Sequence, residues 1–274
     1  MIVIFIAVII FDGWLDGSLT ASGTDDKNVQ GTIFCLLIIL LAVPAQLELS
    51  KLAATKNLKI FAPVTIPTSI LVATSPYILQ WTEIQAELYL LFLLTLALLS
   101  IFLYQYLNYG TSGVFANCSV NCFSILYLGL LSSFCLSIRI DFGFWPLLMF
   151  IFVIKSADIG AYSIGTLFGK HKFSPKISPG KSWEGMAGAI AAAVIVAIGF
   201  AAICDIMVLW AAIVFGIGLA FIGQLGDLAE SMLKRDAGQK DSANIIPGFG
   251  GVLDIIDSLL IAAPFAYLSF MWCS

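Results

Sequence analysis

Apolar residues occur in long runs along this chain, and short polar segments separate the runs. A helix that rises about 1.5 Å per residue needs about 20 apolar residues to cross a bilayer. The pattern predicts about nine such segments, near residues 1–14, 32–50, 60–80, 84–106, 117–138, 144–167, 184–204, 207–232 and 251–272. The first segment is short, so we expect it to be partly embedded or to begin upstream of Met1. We therefore predict an all-α, polytopic integral membrane protein.

The composition supports this prediction and narrows the kinds of partner. Of the 274 residues, 60% are apolar and 11% are charged, whereas soluble domains carry about 25% charged residues. The net charge of −4 argues against nucleic acid as a partner. The six cysteines form no Cys-x-x-Cys pair and His171 is the only histidine, so we expect no Cys/His zinc site.

The basic residues indicate how the segments are oriented. Ten of the 13 basic residues follow the second, sixth or eighth predicted segment. They are Lys51, Lys56, Lys59, Lys170, Lys172, Lys176, Lys181, Lys234, Arg235 and Lys240. Because cytoplasmic loops of membrane proteins are enriched in Lys and Arg, we predict that these loops and the N-terminus are cytoplasmic.

Three predicted segments carry pairs of charged residues spaced three positions apart, which places each pair on one helix face. The pairs are Lys155 with Asp158, Asp227 with Glu230, and Asp254 with Asp257. Because an Asp or Lys in mid-membrane costs about 2.5–3.5 kcal/mol, we expect segments six, eight and nine to form a polar cavity. Carboxylates in such a cavity favour hard cations. An alternative interpretation of Lys155 and Asp158 is an ion pair that holds helices together. For Glu184 and Glu230, the alternative is a position at the membrane interface.

Two loops between these segments are rich in Gly, Pro, Ser and Lys, over residues 168–185 and 234–251. Tight turns, backbone N–H groups and lysines can together bind a polyphosphate. The tripeptide 180–182 is not the end of a Walker A motif, because Pro175 stands where that motif requires glycine. A cavity with several carboxylates and two basic loops predicts phosphoryl or nucleotidyl transfer onto a lipid phosphate.

Three stretches of the C-terminal half carry the motifs of one membrane enzyme family. They are DIGAYSIGTLFGK at residues 158–170, ISPGKSWEG at 177–185 and SMLKRDAGQKDSANIIPGFGGVLDIIDS at 231–258. Together they strongly resemble the motifs of the phosphatidate cytidylyltransferases, also called CDP-diacylglycerol synthases. The resemblance covers about residues 150–262 and is highly specific, because many spaced residues agree in order.

The resemblance implies a reaction in which CTP and phosphatidic acid give CDP-diacylglycerol and pyrophosphate. It implies Mg²⁺ as cofactor, and a second cation, divalent or K⁺, is left open. The residues expected to act in catalysis are Asp227, Asp254, Lys234, Lys240 and Asp241. Those expected to bind substrate are Ser178, Lys181, Ser182, Ser231, Arg235, Pro247, Gly248, Gly250 and Gly251. Those expected to hold metal are Asp158, Asp227, Asp254 and Asp257.

The sequence departs from the family pattern at two positions. Phe249 stands where the family usually has His, and Ile255 stands where it usually has Arg. Both changes make the expected site less basic, and the second removes a cation beside the expected metal ligands. The carboxylates and the basic residues of the 234–241 stretch are intact, so we expect an active enzyme.

We expect one continuous membrane domain, with N-terminal helices over residues 1–140 and a catalytic region over residues 141–274. Membrane lipids are expected partners, and a homodimer is left open. We expect a bacterial cytoplasmic membrane, with the site facing the cytoplasm. Two other functions stay open. A CTP-dependent kinase of a polyprenol or another lipid alcohol would release CDP, and a cation-coupled transporter would use the carboxylates as ion sites.

Overall fold

The protein is described from a computed structural model over residues 10–14, 16, 30–239 and 251–273. Within these ranges it is helical, and the β-type pairing is confined to an isolated bridge between Lys172 and Ser182. The all-α prediction is therefore confirmed. The chain divides into two compact units, Met1–Phe144 with Asp241–Leu253 and Trp145–Lys240 with Asp254–Ser274.

Most of the helices are long and apolar enough to cross a membrane. In chain order they are α1 (Thr32–Ala54), α2 (Ala62–Ala73), α3 (Ser75–Leu79), α4 (Ala86–Tyr109), α5 (Val114–Phe142), α6 (Phe144–Phe168), α7 (Trp183–Cys204), α8 (Leu209–Asp236) and α9 (Leu253–Cys273). All except α2 and α3, that is seven helices of the described ranges, meet the length and hydropathy of a membrane span. A polytopic membrane protein is thus confirmed, but the count of nine spans is not.

The two predicted spans that are missing from this set have different explanations. The segment near residues 1–14 lies largely outside the described residues. The segment near residues 60–80 forms α2 and α3, which are separated at Thr74. Pro76 lies in the first turn of α3, where its missing N–H costs no helical hydrogen bond. The hydroxyls of Thr74 and Ser75 donate to the carbonyls of Ile70 and Val72, so the break leaves these acceptors satisfied.

The first unit is held together by an apolar core and by buried amides. The core cluster consists of Phe61, Val72, Leu93, Ala97, Ile101, Cys118 and Ile125. The amide of Asn121 bridges α5 to the segment before α2, because it accepts from the Phe61 N–H at 2.7 Å and donates to the Lys59 carbonyl at 2.8 Å. Helix α5 contains two π-helical stretches, Ile125–Leu130 and Ile138–Phe142.

The second unit packs its helices closely through small residues. A Cβ atom on Gly160 of α6 would lie 2.5 Å from the carbonyl oxygen of Gly188 on α7, so only glycine fits there. On α7, the buried alanines Ala189, Ala193, Ala197 and Ala201 recur every fourth residue and form one face. Such small-residue faces let membrane helices approach closely. This packing brings α6 and α7 into close contact beside Asp158.

Candidate functional site

The second unit contains a polar cavity of about 380 Å³. It is lined by residues of α6, α7, α8 and α9 and by residues of the loop between α6 and α7. The four aspartates expected from the sequence, Asp158, Asp227, Asp254 and Asp257, all line it, together with Lys181. The three charged helix faces therefore meet in one cavity, and α7 adds a wall that the sequence pattern did not indicate.

Three carboxylates at this cavity lie close enough to share a cation. Asp227 and Glu230 on α8 and Asp257 on α9 each offer one oxygen, and these oxygens lie within 4.8 Å of one another. Glu230 and Asp257 are buried, whereas the side chain of Asp227 is 40% exposed. The i, i+3 spacing of Asp227 and Glu230 explains why both face α9.

This donor set fits Mg²⁺ in its chemistry. Hard divalent cations bind oxygen ligands, and Mg²⁺ is usually held by one or two carboxylates together with waters and substrate phosphates. The two carboxylate oxygens of Glu230 are buried and have no well-aligned hydrogen-bond donor among the described residues, although the Lys234 ammonium lies 2.5 Å from Oε2. Such an under-satisfied buried carboxylate favours a cation as its further partner.

Lys234 joins α8 to α9 beside this cluster. Its ammonium lies 2.5 Å from Glu230 Oε2 and donates to Asp254 Oδ1 at 2.5 Å. The Lys234 side chain is 12% exposed and that of Asp254 is 11% exposed, so this contact is largely shielded from water. In this arrangement Asp254 holds the lysine, while Glu230 takes part in the carboxylate cluster.

Lys181 makes a second contact between a basic side chain and the carboxylate cluster. Its ammonium lies 2.9 Å from Asp227 Oδ2 and donates to the backbone carbonyl of Gln224 at 2.7 Å. The loop that carries Lys181 therefore contacts α8 one turn before the cluster. Because Asp227 is partly exposed to the cavity, this end of the Lys181 side chain faces space that an anionic group can enter.

Lys155 and Asp158 form the ion pair that the sequence allowed as an alternative. The Lys155 ammonium lies 3.3 Å from Asp158 Oδ2, and it also donates to the Ile255 carbonyl at 3.0 Å and to Ser258 Oγ at 3.3 Å. Ile255 was expected to leave the metal ligands without a neighbouring cation. The ammonium of Lys155 in fact supplies a positive charge at the backbone of that residue.

The loop between α6 and α7 is fixed by hydrogen bonds at both of its ends. Ser182 caps α7, since its hydroxyl accepts the Gly185 N–H at 3.1 Å. His171 lies in the loop, and its Nδ1 is 2.5 Å from Glu184 Oε1 in the first turn of α7. Arg235 donates from Nε to the Ile177 carbonyl at 3.1 Å, so it contacts the loop backbone.

The structure brings only some of the expected substrate-binding residues to the cavity. Ser178, Lys181 and Ser182 line it. Ser231 is buried on α8 and Arg235 is exposed, and neither is among the residues that line the cavity. Gly251 is also not among them. The remaining expected residues lie outside the described ranges, namely Lys240, Asp241, Pro247, Gly248 and Gly250, and so does Phe249.

One acidic residue of the cluster was predicted only in part, and one buried acidic residue of the first unit was not predicted at all. The sequence paired Glu230 with Asp227 on one helix face but left an interfacial position open for it, and the structure places it in the cluster. Glu48 on α1, in the first unit, is fully buried, and its two oxygens accept the N–H groups of Val252 and Leu253 at 2.9 Å each. No local pattern links Glu48 to the start of α9, because 204 residues separate it from Val252.

Comparison with known proteins agrees with the motifs. The family model described as "Cytidylyltransferase family" matches residues 28–273. The phosphatidate cytidylyltransferase of Haemophilus influenzae is 46% identical over 125 residues, which are 43% of this chain and 43% of that protein. That of Brucella suis is 42% identical over 127 residues, 46% of this chain and 47% of that protein. That of Bacillus subtilis is 41% identical over 145 residues, 52% of this chain and 54% of that protein.

These matches differ in how much of the chain they cover. The chain spans about half the length of the curated relatives it matches, which are similar to it over 43–54% of their own length. The family model, in contrast, covers nearly the whole chain. The resemblance found in the motifs is confirmed at this level. The chain belongs to the cytidylyltransferase family.

Proposed function

We propose that this protein is a phosphatidate cytidylyltransferase, which converts CTP and phosphatidic acid into CDP-diacylglycerol and pyrophosphate. One observation supports this function most strongly. The shared cluster of Asp227, Glu230 and Asp257 lies at a cavity that also receives Lys181. Acidic and basic groups at one cavity suit a reaction between two phosphates, because the main obstacle is repulsion between the two anions. Family membership adds the nucleotide class.

The proposed reaction is an in-line displacement at the α-phosphorus of CTP. A phosphate oxygen of the lipid forms a bond to that phosphorus, and the bond from the phosphorus to the bridging oxygen of the β-phosphate breaks. Pyrophosphate leaves with the bridging oxygen and its electron pair. Asp227, Glu230 and Asp257 would hold Mg²⁺, which when bound supplies positive charge to the reacting phosphates.

The lysines of the cavity bind and orient the phosphates in this proposal. Lys181 is 10% exposed and ends beside the partly exposed Asp227, so it can exchange a carboxylate contact for a phosphate oxygen. Asp254 orients Lys234, whose ammonium also lies beside Glu230. Lys is well suited to this role, because its ammonium is a compact charge with three donors. Lys240 and Asp241 keep their expected roles in catalysis, and Arg235 keeps its expected role in substrate binding.

The proposed setting of the enzyme is a bacterial cytoplasmic membrane, with the cavity open to the cytoplasm. The basic loop that carries Lys181 supports this orientation, because positive residues are enriched on the cytoplasmic side. Tyr162 and Thr166 of α6, which line the cavity, are exposed on an apolar helix. A lipid phosphate could then enter from the bilayer while CTP enters from water.

The test uses the purified full chain in detergent or lipid nanodiscs. The protein receives phosphatidic acid, Mg²⁺ and CTP that is labelled at the α-phosphorus. We expect the label to enter a chloroform-extractable lipid, with one pyrophosphate released for each lipid formed. Asp254→Asn should remove this turnover while the protein stays folded, because Lys234 would lose one of its two carboxylate partners and with it the orientation set by α9.

Three outcomes would contradict the proposal. Label that never enters lipid, in a preparation with a normal thermal unfolding transition, would exclude the transferase. Release of CDP when a polyprenol replaces phosphatidic acid would instead indicate a lipid-alcohol kinase. Cation flux into liposomes without any consumption of CTP would indicate a transporter.

A further inference from the structure

We propose that the side-chain amide of Gln224 on α8 contacts the lipid substrate and donates a hydrogen bond to one of its ester carbonyls. Gln224 then makes the protein prefer a diester phosphatidate to the corresponding diether. This inference rests on the proposed function, because it names the part of the lipid that one wall of the same cavity recognises. The motifs at residues 158–170, 177–185 and 231–258 do not contain Gln224.

The first argument is the position of Gln224 on the same face of α8 as Asp227. Three residues separate them, so their side chains are neighbours on the helix surface, and both residues line the cavity. Lys181 contacts both positions, because its ammonium lies 2.9 Å from Asp227 Oδ2 and donates to the Gln224 backbone carbonyl at 2.7 Å. Gln224 therefore lies beside two charged groups that we assign to the substrate phosphates.

The second argument is that the Gln224 amide is buried without a protein partner. The residue is only 6% exposed, and its side chain makes no hydrogen bond with any of the described residues, since Lys181 uses the backbone carbonyl. The buried Gln105 of the first unit differs, because its amide donates to two backbone carbonyls and accepts from Asn117. Buried polar groups are nearly always hydrogen-bonded. An unpartnered amide in the wall of a cavity therefore indicates a contact with the ligand.

The third argument is the order of polar groups along α8, which matches the order of groups in the lipid. The last turn of α8 carries Lys234 and Arg235, and Asp227 lies before it. Gln224 lies a further 4.5 Å or so along the helix axis from that polar end, and residues 209–223 before it include no charged residue. In phosphatidate the phosphate is followed by glycerol, the ester groups and the acyl chains. A lipid phosphate beside Asp227 thus places the esters toward Gln224.

The fourth argument is the chemistry of the amide. An ester carbonyl oxygen is a neutral acceptor, and the NH₂ group of glutamine is a neutral donor. Phosphate oxygens are negative, and the ammonium groups of Lys181 and Lys234 are the donors that suit them in this cavity. A diether lipid has the same phosphate and the same chains but no carbonyl. The two lipids therefore differ in the one group that Gln224 is proposed to bind.

The test compares the unaltered full chain with Gln224→Met on dioleoyl phosphatidate and on its diether analogue, in mixed micelles at saturating CTP. Methionine has nearly the length of glutamine but cannot donate a hydrogen bond. For the unaltered protein we expect the KM for the diester to be about fivefold below the KM for the diether, as one neutral hydrogen bond provides. In Gln224→Met the two lipids should have equal KM values, and the KM for CTP should not change.

The matched control is Gln85→Met, at an exposed residue before α4, and this variant should keep the preference for the diester. A higher KM for CTP in Gln224→Met would overturn the inference, because the amide would then contact the nucleotide. A preference for the diester that persists in Gln224→Met would also overturn it, since water would then be the only partner of the amide. Equal KM values of the two lipids in the unaltered protein would overturn it as well.

A second measurement needs neither turnover nor a variant. The thermal unfolding midpoint of the unaltered protein is followed in neutral detergent as diester or diether phosphatidate is added without CTP. We expect half of the midpoint shift at an about fivefold lower concentration of the diester. Equal concentrations would overturn the inference even if the protein makes CDP-diacylglycerol. A difference without any product in the CTP assay would instead contradict the proposed reaction and leave the lipid contact of Gln224 in place.

Discussion

The two compact units of this chain both bury charged side chains, but they satisfy those charges in different ways. In the first unit, Arg139 is fully buried, and its guanidinium lies 2.8 Å from Asp12 Oδ2 and 3.2 Å from Asp16 Oδ2. The other oxygen of Asp12 accepts the N–H groups of Ile33 and Phe34 at the start of α1. These charged groups neutralise one another in contacts that are buried from solvent.

In the second unit, the charges border a cavity and are satisfied only in part by each other. Asp227 is 40% exposed although Lys181 contacts it, and among the described residues no well-aligned donor meets the buried oxygens of Glu230, although the Lys234 ammonium lies beside one of them. The difference teaches that a buried charge in an apolar chain does not by itself indicate a functional site. Incomplete neutralisation beside a cavity is the better indicator, since it leaves capacity for a ligand.

The largest effect that would test this comparison is expected for Asp227→Asn. The substitution keeps the shape of the side chain but removes the charge that the proposed cation contacts. We expect turnover of CTP and phosphatidic acid to fall about 10³-fold, because several kcal/mol of charge stabilisation are lost. The thermal unfolding midpoint should change little, since the side chain is partly exposed. Initial rates measured on folded protein check this prediction.

Asp205→Asn is the matched control for that variant. Asp205 is exposed between α7 and α8 and has a φ of 51°, a conformation that Asn also tolerates. Its turnover should equal that of the unaltered protein. Normal turnover of Asp227→Asn would show that Asp227 does not act in the site. The charge of Asp227 would then be structural, as the buried charges of the first unit are.

The next largest effect is expected for Arg139→Met in the first unit. This change leaves Asp12 and Asp16 without their cation, and breaking a buried ion pair in this way costs about 3–5 kcal/mol of unfolding free energy. Thermal unfolding in detergent measures the loss, with the exposed Lys176→Met as control. Turnover per folded molecule should stay unchanged. A specific loss of turnover without a loss of stability would show that this unit also carries functional charge.

The positions of the long helices could be predicted well from the sequence. The expected segment 144–167 forms Phe144–Phe168, and 184–204 forms Trp183–Cys204, because charged or glycine-rich stretches end these apolar runs. The expected segment 60–80 is two short helices instead. Its hydropathy is continuous, whereas the break at Thr74 depends on a proline and on local side-chain hydrogen bonds.

The sequence predicted which charged residues of the site share a helix face, but it did not predict which side chains contact each other. The three-residue spacing placed Asp227 on the same face as Glu230, yet it could not distinguish an interfacial glutamate from one in the cluster. Lys181 and Asp227, which are in contact, lie 46 positions apart in the chain. Glu48 and Val252, which are also in contact, lie 204 positions apart. Such pairings follow from tertiary packing, which has no local signal.

A smaller effect is expected for Gly160→Ala, which tests the helix packing that brings the cavity residues together. The added Cβ would lie 2.5 Å from the Gly188 carbonyl, so α6 and α7 must move apart. Overpacking of this kind costs about 1–3 kcal/mol of unfolding free energy. Gly199→Ala on α7 meets open space and should be neutral or slightly stabilising. Equal thermal unfolding midpoints of the two variants would contradict the close packing described for α6 and α7.

The smallest effect is expected for Glu48→Gln, because glutamine retains one of the two acceptor oxygens that bind the Val252 and Leu253 N–H groups. The start of α9 would be held less firmly, and Asp254 and Asp257 follow within the next turn. We expect turnover per folded molecule to fall about tenfold, as for residues that position metal ligands. The matched control is Glu87→Gln, at an exposed residue in the first turn of α4. Unchanged turnover together with a lower unfolding midpoint would mean that Glu48 serves stability alone, as Arg139 does. A loss of turnover would instead show that a buried charge of the first unit supports the chemistry through the start of α9.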